Sequence, residues 1–221
     1  MGIDKNARKA FIISKVKRLI LEIDHELEMI DLGCGSGQIT KALSKYGSVV
    51  GVDQVVTRVK LFFPTLKFLE ADIVTDKIGG QYDVVVSSEV IEHLRIQDQR
   101  GHIMKIRDLM KENNSFLILT TPNRPVAKQI ISDIHILGEH LQPIENWLDR
   151  HSLTSLIEPF LEIESMESIL PYHRLKYIQK PRLVRKAIFA FSLFLPIYRM
   201  FLRDSGNRGL YLVVVARKRR R

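Results

Sequence analysis

Asp31-Leu32-Gly33-Cys34-Gly35-Ser36-Gly37 sets three glycines at alternate positions directly behind a short apolar run. Lacking a Cβ, such a loop reaches backbone conformations closed to other residues and lets a ligand lie against the main chain. The chemistry it suits is binding of a nucleotide-like molecule. A dinucleotide fingerprint would need glycine at position 38, where Gln38 stands, and the G-x-x-x-x-G-K-[ST] phosphate loop is absent. Phosphate cradling is therefore the weaker reading. Asp53 closes a second apolar run, 16 residues after Gly37, where a carboxylate can accept from both hydroxyls of a ribose. Asp72 follows a third run and is placed to face an adenine amino group. Further on, Glu89-Val90-Ile91-Glu92-His93 spaces Glu89, Glu92 and His93 at i, i+3 and i+4. A helix starting near Ser88 would present all three on one face, able to move protons or hold a metal, with His140 or His135 completing the set. The structural alternative is a helix N-terminus whose dipole favours carboxylates.

The elements that must carry these residues alternate. Ala7 to Glu26 has the three-to-four spacing of an amphipathic helix through Phe11, Ile12, Val16, Leu19, Ile20 and Ile23. Strands are expected at Leu27–Leu32, Ser48–Val52, Lys67–Ala71, Tyr82–Val86 and Ser115–Thr120, with helices at Gln38–Tyr46, Val55–Phe62 and a long one over Glu89–Met110 weakened at Gly101. Asp149 caps a helix running to Pro159, and strands at Leu161–Met166 and Gly209–Ala216 follow. Short buried strands separated by helices predict a parallel sheet with helices on both faces. Loops at the carboxyl ends of such strands line the ligand crevice, which is where the glycine loop, Asp53, Asp72 and Glu89 all fall.

The 221 residues, 45% hydrophobic and 27% charged, suit one compact domain, 1–221, with no disordered, collagenous or disulfide-scaffold character. Cys34 is the only cysteine, so no intrachain disulfide forms, and it reads as a small apolar filler. The charged N-terminal residues lack the apolar core of a secretory signal, so a cytoplasmic location is expected. Charge is uneven. Of the 34 basic residues, 14 fall in Arg174–Arg221 beside one acid, Asp204, which leaves the preceding part with 20 basic and 24 acidic residues. The stretch 171–206 before the last strand is thus a basic and apolar insertion. Within it Ala187–Tyr198 (AIFAFSLFLPIY) is almost wholly apolar, too short to span a bilayer and broken by Pro196. Two readings stay open: a lid over an acceptor pocket, or a membrane-surface element whose flanks across 180–203 meet anionic headgroups, making the protein membrane-associated.

DLGCGSG at 31–37, GVD at 51–53, EADI at 70–73, YDVVVSSEVIEHL at 82–94 and FLILTTPN at 116–123 together resemble a class I S-adenosylmethionine-dependent methyltransferase, in order and at the right spacing. The resemblance covers Leu27 to Asn123 closely, and GEHLQP at 138–143 and the final LYLVVVARK more loosely. It implies an α/β, Rossmann-like doubly wound sheet of about seven strands, mostly parallel with an antiparallel last strand, helices on both faces, and S-adenosyl-L-methionine as cofactor. By resemblance, Gly33, Gly35 and Gly37 meet the methionine part and ribose, Asp31 the amino group, Asp53 the ribose hydroxyls, and Asp72 with Ile73 the adenine, with Ser88 joining the cofactor set. The E-x-x-E-H run is similar to that of ubiquinone-biosynthesis O-methyltransferases, and also to small-RNA 2′-O-methyltransferases in which two glutamates and two histidines bind a divalent metal. It implies Glu89, His93 and His140 as catalytic residues, and no metal is assigned. The expected acceptor is small, hydrophobic or lipid-linked, methylated at oxygen. RNA ranks second, because the long apolar run among the tail's charges is not needed for phosphate contact. A non-catalytic cofactor-binding protein of the same fold is the third reading.

Overall fold

In the computed structural model, residues 2–133, 143–171, 203–204 and 207–219 are described. The chain opens with helix α1 (Gly2–Leu19), then strand β1 (Leu27–Leu32), α2 (Gln38–Leu43), β2 (Gly47–Asp53), α3 (Thr57–Phe62), β3 (Lys67–Glu70) and β4 (Val84–Ser88). A single 3₁₀ turn (Ile91–His93) leads to α4 (Ile96–Leu109), β5 (Phe116–Pro122), α5 (Arg124–Asp133), α6 (Arg150–Ile157), β6 (Leu161–Pro171), β7 (Arg203–Asp204) and β8 (Gly209–Lys218).

These strands form one sheet in the order β3-β2-β1-β4-β5-β8-β6-β7. β3, β2, β1, β4 and β5 run parallel, and β8 pairs antiparallel with both β5 and β6. The chain moves outward from β1 to β3, then returns to place β4 against β1's other side. The order reverses between β1 and β4, and the carboxyl ends of those strands open the crevice in which ligands of doubly wound sheets bind.

Alternation within the apolar runs builds a core on each face. Val84 and Val86 of β4, with Phe116 and Ile118 of β5, pack with Ile12, Val16 and Leu19 of α1 and Leu43 of α2. Val85, Leu117 and Leu119 point the other way, onto Ile103, Ile106 and Leu109 of α4 and Leu153 and Ile157 of α6. A strand buried on both faces has no polar alternation to show, so these runs read as continuous valine, isoleucine and leucine. As expected, Asp149 caps α6, its Oδ1 accepting from the Ser152 amide at 2.8 Å.

Three differences from expectation appear. The long helix over Glu89–Met110 does not form. Glu89 holds the left-handed φ of 58°, its amide continues the sheet by donating to Thr120 O at 3.0 Å, and a regular helix starts only at Ile96. Burial of Ile91 and Glu92 overrides the helical spacing. Helix α5 was not among the expected elements; Pro125 sits in its first turn, where the missing amide hydrogen costs nothing. The expected α1 ends seven residues early, in a turn closed by Glu22 N donating to Leu19 O. Of the insertion 171–206, only Pro171, Arg203 and Asp204 lie within the described residues; His135 and His140 lie outside them.

Candidate active site

The glycine loop leaves β1 and is tied down at once. Gly33 N and Cys34 N both donate to Val52 O, at 2.8 and 2.9 Å, and Gly37 N closes back on Cys34 O at 2.9 Å. Gly33, Gly35 and Gly37 all take positive φ, of 71°, 49° and 71°. They do different work. A Cβ on Gly33 would stand 2.4 Å from Val90, and one on Gly37 2.4 Å from Val59, so these two let the loop pack on its own protein. A Cβ on Gly35 would meet no protein atom within 4 Å. That open space above exposed backbone is the cradle a nucleoside-bearing ligand needs, and the residues present fit one.

Asp53 stands at its rim, its Oδ2 accepting from Gly35 N at 2.8 Å, so the carboxylate is fixed at the mouth of the loop. Asp31 lies behind the loop, 1% exposed, and accepts from Thr40 Oγ1 at 2.6 Å. Burial pushes its carboxyl up to about 7, with the charge of Asp53 adding to the shift. Burial likewise pushes the Cys34 thiol up to about 12, in keeping with a filler rather than a nucleophile. Asp72 is less free than expected. Its Oδ1 accepts from the amides of Val74 at 2.7 Å and Thr75 at 3.2 Å, and its Oδ2 from Gln54 Nε2 at 2.9 Å. Those donors, the Val74 amide first, hold it below the usual carboxylate range. The Ile73 side chain is buried in the core and its carbonyl accepts from Lys105 Nζ at 2.7 Å, which leaves that residue's backbone amide to a ligand. Ser88 is buried with its Oγ 2.8 Å from Thr120 Oγ1, between β4 and β5.

The unliganded protein stores a pH dependence in Asp31. Below the ordinary carboxyl value of 3.8 both states hold the proton; above it the unfolded chain ionises first, so the stability contribution of Asp31 falls as pH rises and is lost through about pH 7. Asp31→Asn removes that loss. Its gain in urea-unfolding free energy over the parent is expected to be larger at pH 8 than at pH 5 by on the order of 2 kcal/mol. Equal gains at the two pH values would contradict the burial argument.

Glu89, Glu92 and His93 do come together, through the turn rather than a helix face. Glu89 Oε1 accepts from Thr120 Oγ1 at 3.0 Å, and Oε2 lies 3.5 Å from the guanidinium of Arg8 on α1. Glu92 is 1% exposed and accepts from Thr121 Oγ1 at 3.1 Å; burial first, and the charge of Glu89 second, raise its carboxyl well above the ordinary range. His93 Nδ1 lies 3.1 Å from Ile144 O, which can only accept. The proton of the neutral ring therefore sits on Nδ1, leaving Nε2 as its basic nitrogen. Glu145 Oε1 stands 3.8 Å from the same ring. Gln99 Nε2 donates to Ile91 O at 3.0 Å and Asn146 Nδ2 to Leu94 O at 2.8 Å, satisfying the carbonyls of a turn that no helix satisfies. Among the described residues, no three of the His, Cys, Asp and Glu side chains are placed to share a metal ion.

Sequence reasoning missed Arg8, Thr120, Thr121 and Glu145. The threonine pair carried the one available signal, two hydroxyls interrupting a buried apolar strand in FLILTTPN. Arg8 is brought in from α1, with its guanidinium 4.7 Å from the Tyr211 ring centre, and nothing near it in sequence marks it.

A family model described as a methyltransferase domain matches residues 4–170. The mitochondrial ubiquinone biosynthesis O-methyltransferase of Mus musculus is 28% identical over 166 residues, 65% of this chain and 44% of that protein. The ubiquinone biosynthesis O-methyltransferase of Rickettsia canadensis is 30% identical over 142 residues, 59% and 58% of the two chains. The chain thus spans about half the length of the curated relatives it matches. A crystal structure of an S-adenosylmethionine-dependent methyltransferase from Clostridium acetobutylicum superposes with a TM-score of 0.67 at 11% identity, over 98% of this chain and 93% of that one, a likeness of fold.

Proposed function

The chain belongs to the methyltransferase domain family as a class I, S-adenosylmethionine-dependent enzyme, and from that premise we propose that it methylates a hydroxyl oxygen of a small hydrophobic acceptor. The observation that carries this reading is Glu89: a carboxylate held in a strained left-handed conformation at the end of β4, between the Thr120 hydroxyl and Arg8, one residue before the Val90 on which Gly33 packs. Strain of this kind persists where the surroundings over-determine it, and it clusters at reacting centres.

Bound S-adenosyl-L-methionine supplies a methyl group already activated by its sulfonium, so the protein has only to align an acceptor and take its proton. In this reading the backbone at Gly33, Gly35 and Gly37 carries the methionine and ribose, and Asp53 accepts from the ribose hydroxyls. Asp72 and the backbone of Ile73 face the base, Asp31 takes the amino group, and Ser88 lines the floor. Glu89 accepts the acceptor's proton. His93 Nε2, 3.9 Å from Glu92 Oε1, offers a second basic site on the same turn, and His140 belongs to the same proposal from its place in the sequence. The acceptor's hydrophobic character, and contact with an anionic membrane through 180–203, rest on the basic and apolar insertion. No helix among the described residues is long and apolar enough to cross a membrane.

The test is release of S-adenosylhomocysteine from S-adenosylmethionine with 4-alkylcatechols of increasing chain length in mixed micelles. Transfer to a catechol oxygen is expected, with kcat/KM rising by up to about fourfold for each added methylene that is buried. No turnover on any catechol, with turnover on the ribose 2′-hydroxyl of RNA or on an amine, would overturn the acceptor reading.

A further inference from the structure

Lys105, on α4, reaches up to the loop that follows β3. Its Nζ donates to three backbone carbonyls, Ile73 O at 2.7 Å, Val74 O at 3.0 Å and Asp76 O at 2.9 Å. An ammonium has three hydrogens to give, and this geometry accounts for all of them. Carbonyls in a turn leaving a sheet edge ordinarily face water; gathering three onto one cation fixes the backbone of residues 73–76 as a unit.

The same turn is braced from its other side. Asp76 Oδ2 accepts from the Asp72 amide at 2.8 Å, Asp76 N donates to Asp72 O at 2.9 Å, and Asp72 Oδ1 accepts from Val74 and Thr75. The Asp72 carboxylate is therefore oriented by the amides of residues 74 and 75, and their position is set by the carbonyls Lys105 holds. With Ile73 O already taken by Lys105, the Asp72 carboxylate, whose Oδ2 also accepts from Gln54 Nε2, is the acceptor this turn presents to an exocyclic amine.

We propose that Lys105 is a positioning residue for base recognition: by fixing the 73–76 turn it aims Asp72 so that the site accepts a 6-amino purine and rejects a 6-oxo purine. This rests on the reading of the site as one for S-adenosylmethionine. An adenine amino group donates to the carboxylate, whereas the carbonyl of hypoxanthine would turn an acceptor toward an acceptor. A site built to pair with a donor discriminates strongly against an analogue that lacks it, because its own polar group is left unpaired.

Calorimetric titration of S-adenosylhomocysteine and S-inosylhomocysteine into the full chain and into Lys105→Met tests this. Methionine keeps the apolar stem and removes the donors. The parent is expected to prefer the adenine ligand by about 30-fold or more, and Lys105→Met to lower that preference at least about threefold while weakening the adenine ligand about tenfold. A preference that stays within threefold of the parent's, whether both affinities fall together or neither falls, would overturn the inference and leave Lys105 a merely structural brace. Should Lys105→Met fail to fold, Lys105→Gln, which keeps amide donors, is read against the same threshold. If the folded parent binds neither ligand, the cofactor reading fails and this inference with it; if the parent binds and the variants keep its preference, only this inference fails.

Discussion

Gly35→Leu is expected to fold, and to lose cofactor binding by more than about 100-fold. The two halves of that result have separate physical causes. The fold tolerates the change because a Cβ at Gly35 meets no protein atom within 4 Å, and the φ of 49° is the part of left-handed space that an L residue enters at a cost of roughly 1–2 kcal/mol. Binding does not tolerate it, because an isobutyl group would stand in the space the ligand must enter to lie on the loop backbone. The neighbouring glycines give the control. Gly33→Ala and Gly37→Ala drive a methyl group to 2.4 Å from Val90 and Val59 and should lower thermal stability as well as binding. Thermal melts and calorimetry on the three variants check this. Gly35→Leu binding like the parent would show that the open space is not the ligand's.

The second large effect falls on chemistry and not on binding. Glu89→Gln should reduce methyl transfer to the best alkylcatechol by about 10²–10⁴-fold, the range over which a positioned general base contributes. The amide keeps an oxygen for Thr120 Oγ1 at the position where Glu89 Oε1 now accepts at 3.0 Å, so the turn is held from that side. What is lost is the ability to take a proton. Affinity for S-adenosylhomocysteine should stay within about threefold, because the Glu89 carboxylate is held by Thr120 Oγ1 and Arg8, and it is the neighbouring Val90 that packs on the glycine loop. Single-turnover rates and calorimetry separate the two quantities. A variant that keeps more than a third of the parent rate would remove Glu89 from the role of base and leave proton removal to His93.

Local signals carried the geometry of the glycine loop and its flanking strands well. β1 runs over Leu27–Leu32 as the apolar pattern requires, and the three glycines behind it take the positive φ values their spacing suggested. Asp53 ends β2 and Asp149 caps α6, because each effect is written within a few residues of its cause. The candidate acid-base turn was legible in its members but not in its geometry. Glu89, Glu92 and His93 have helical spacing, yet they gather on a turn shaped by burial of Ile91 and Glu92 and by pairing with β5. Thr120 and Thr121 reach them across 31 and 29 residues, and Arg8 arrives from α1. Nothing in a spacing pattern encodes such contacts, because the sheet order creates them. Asp72 illustrates the same limit. Its position was read correctly from the strand end, but its carboxylate is largely occupied by amides of its own turn and by Gln54, which only the folded backbone reveals.

The most direct test is a calorimetric titration of S-adenosylmethionine into the folded full chain at pH 7.5. One site per chain with a dissociation constant between about 1 and 100 μM is the expected result, placing affinity in the range of ordinary enzyme ligands. No heat of binding from a chain with an intact cooperative melt would contradict the account, because the open glycine loop, the fixed Asp53 and the braced Asp72 turn would then form a cradle with nothing to hold.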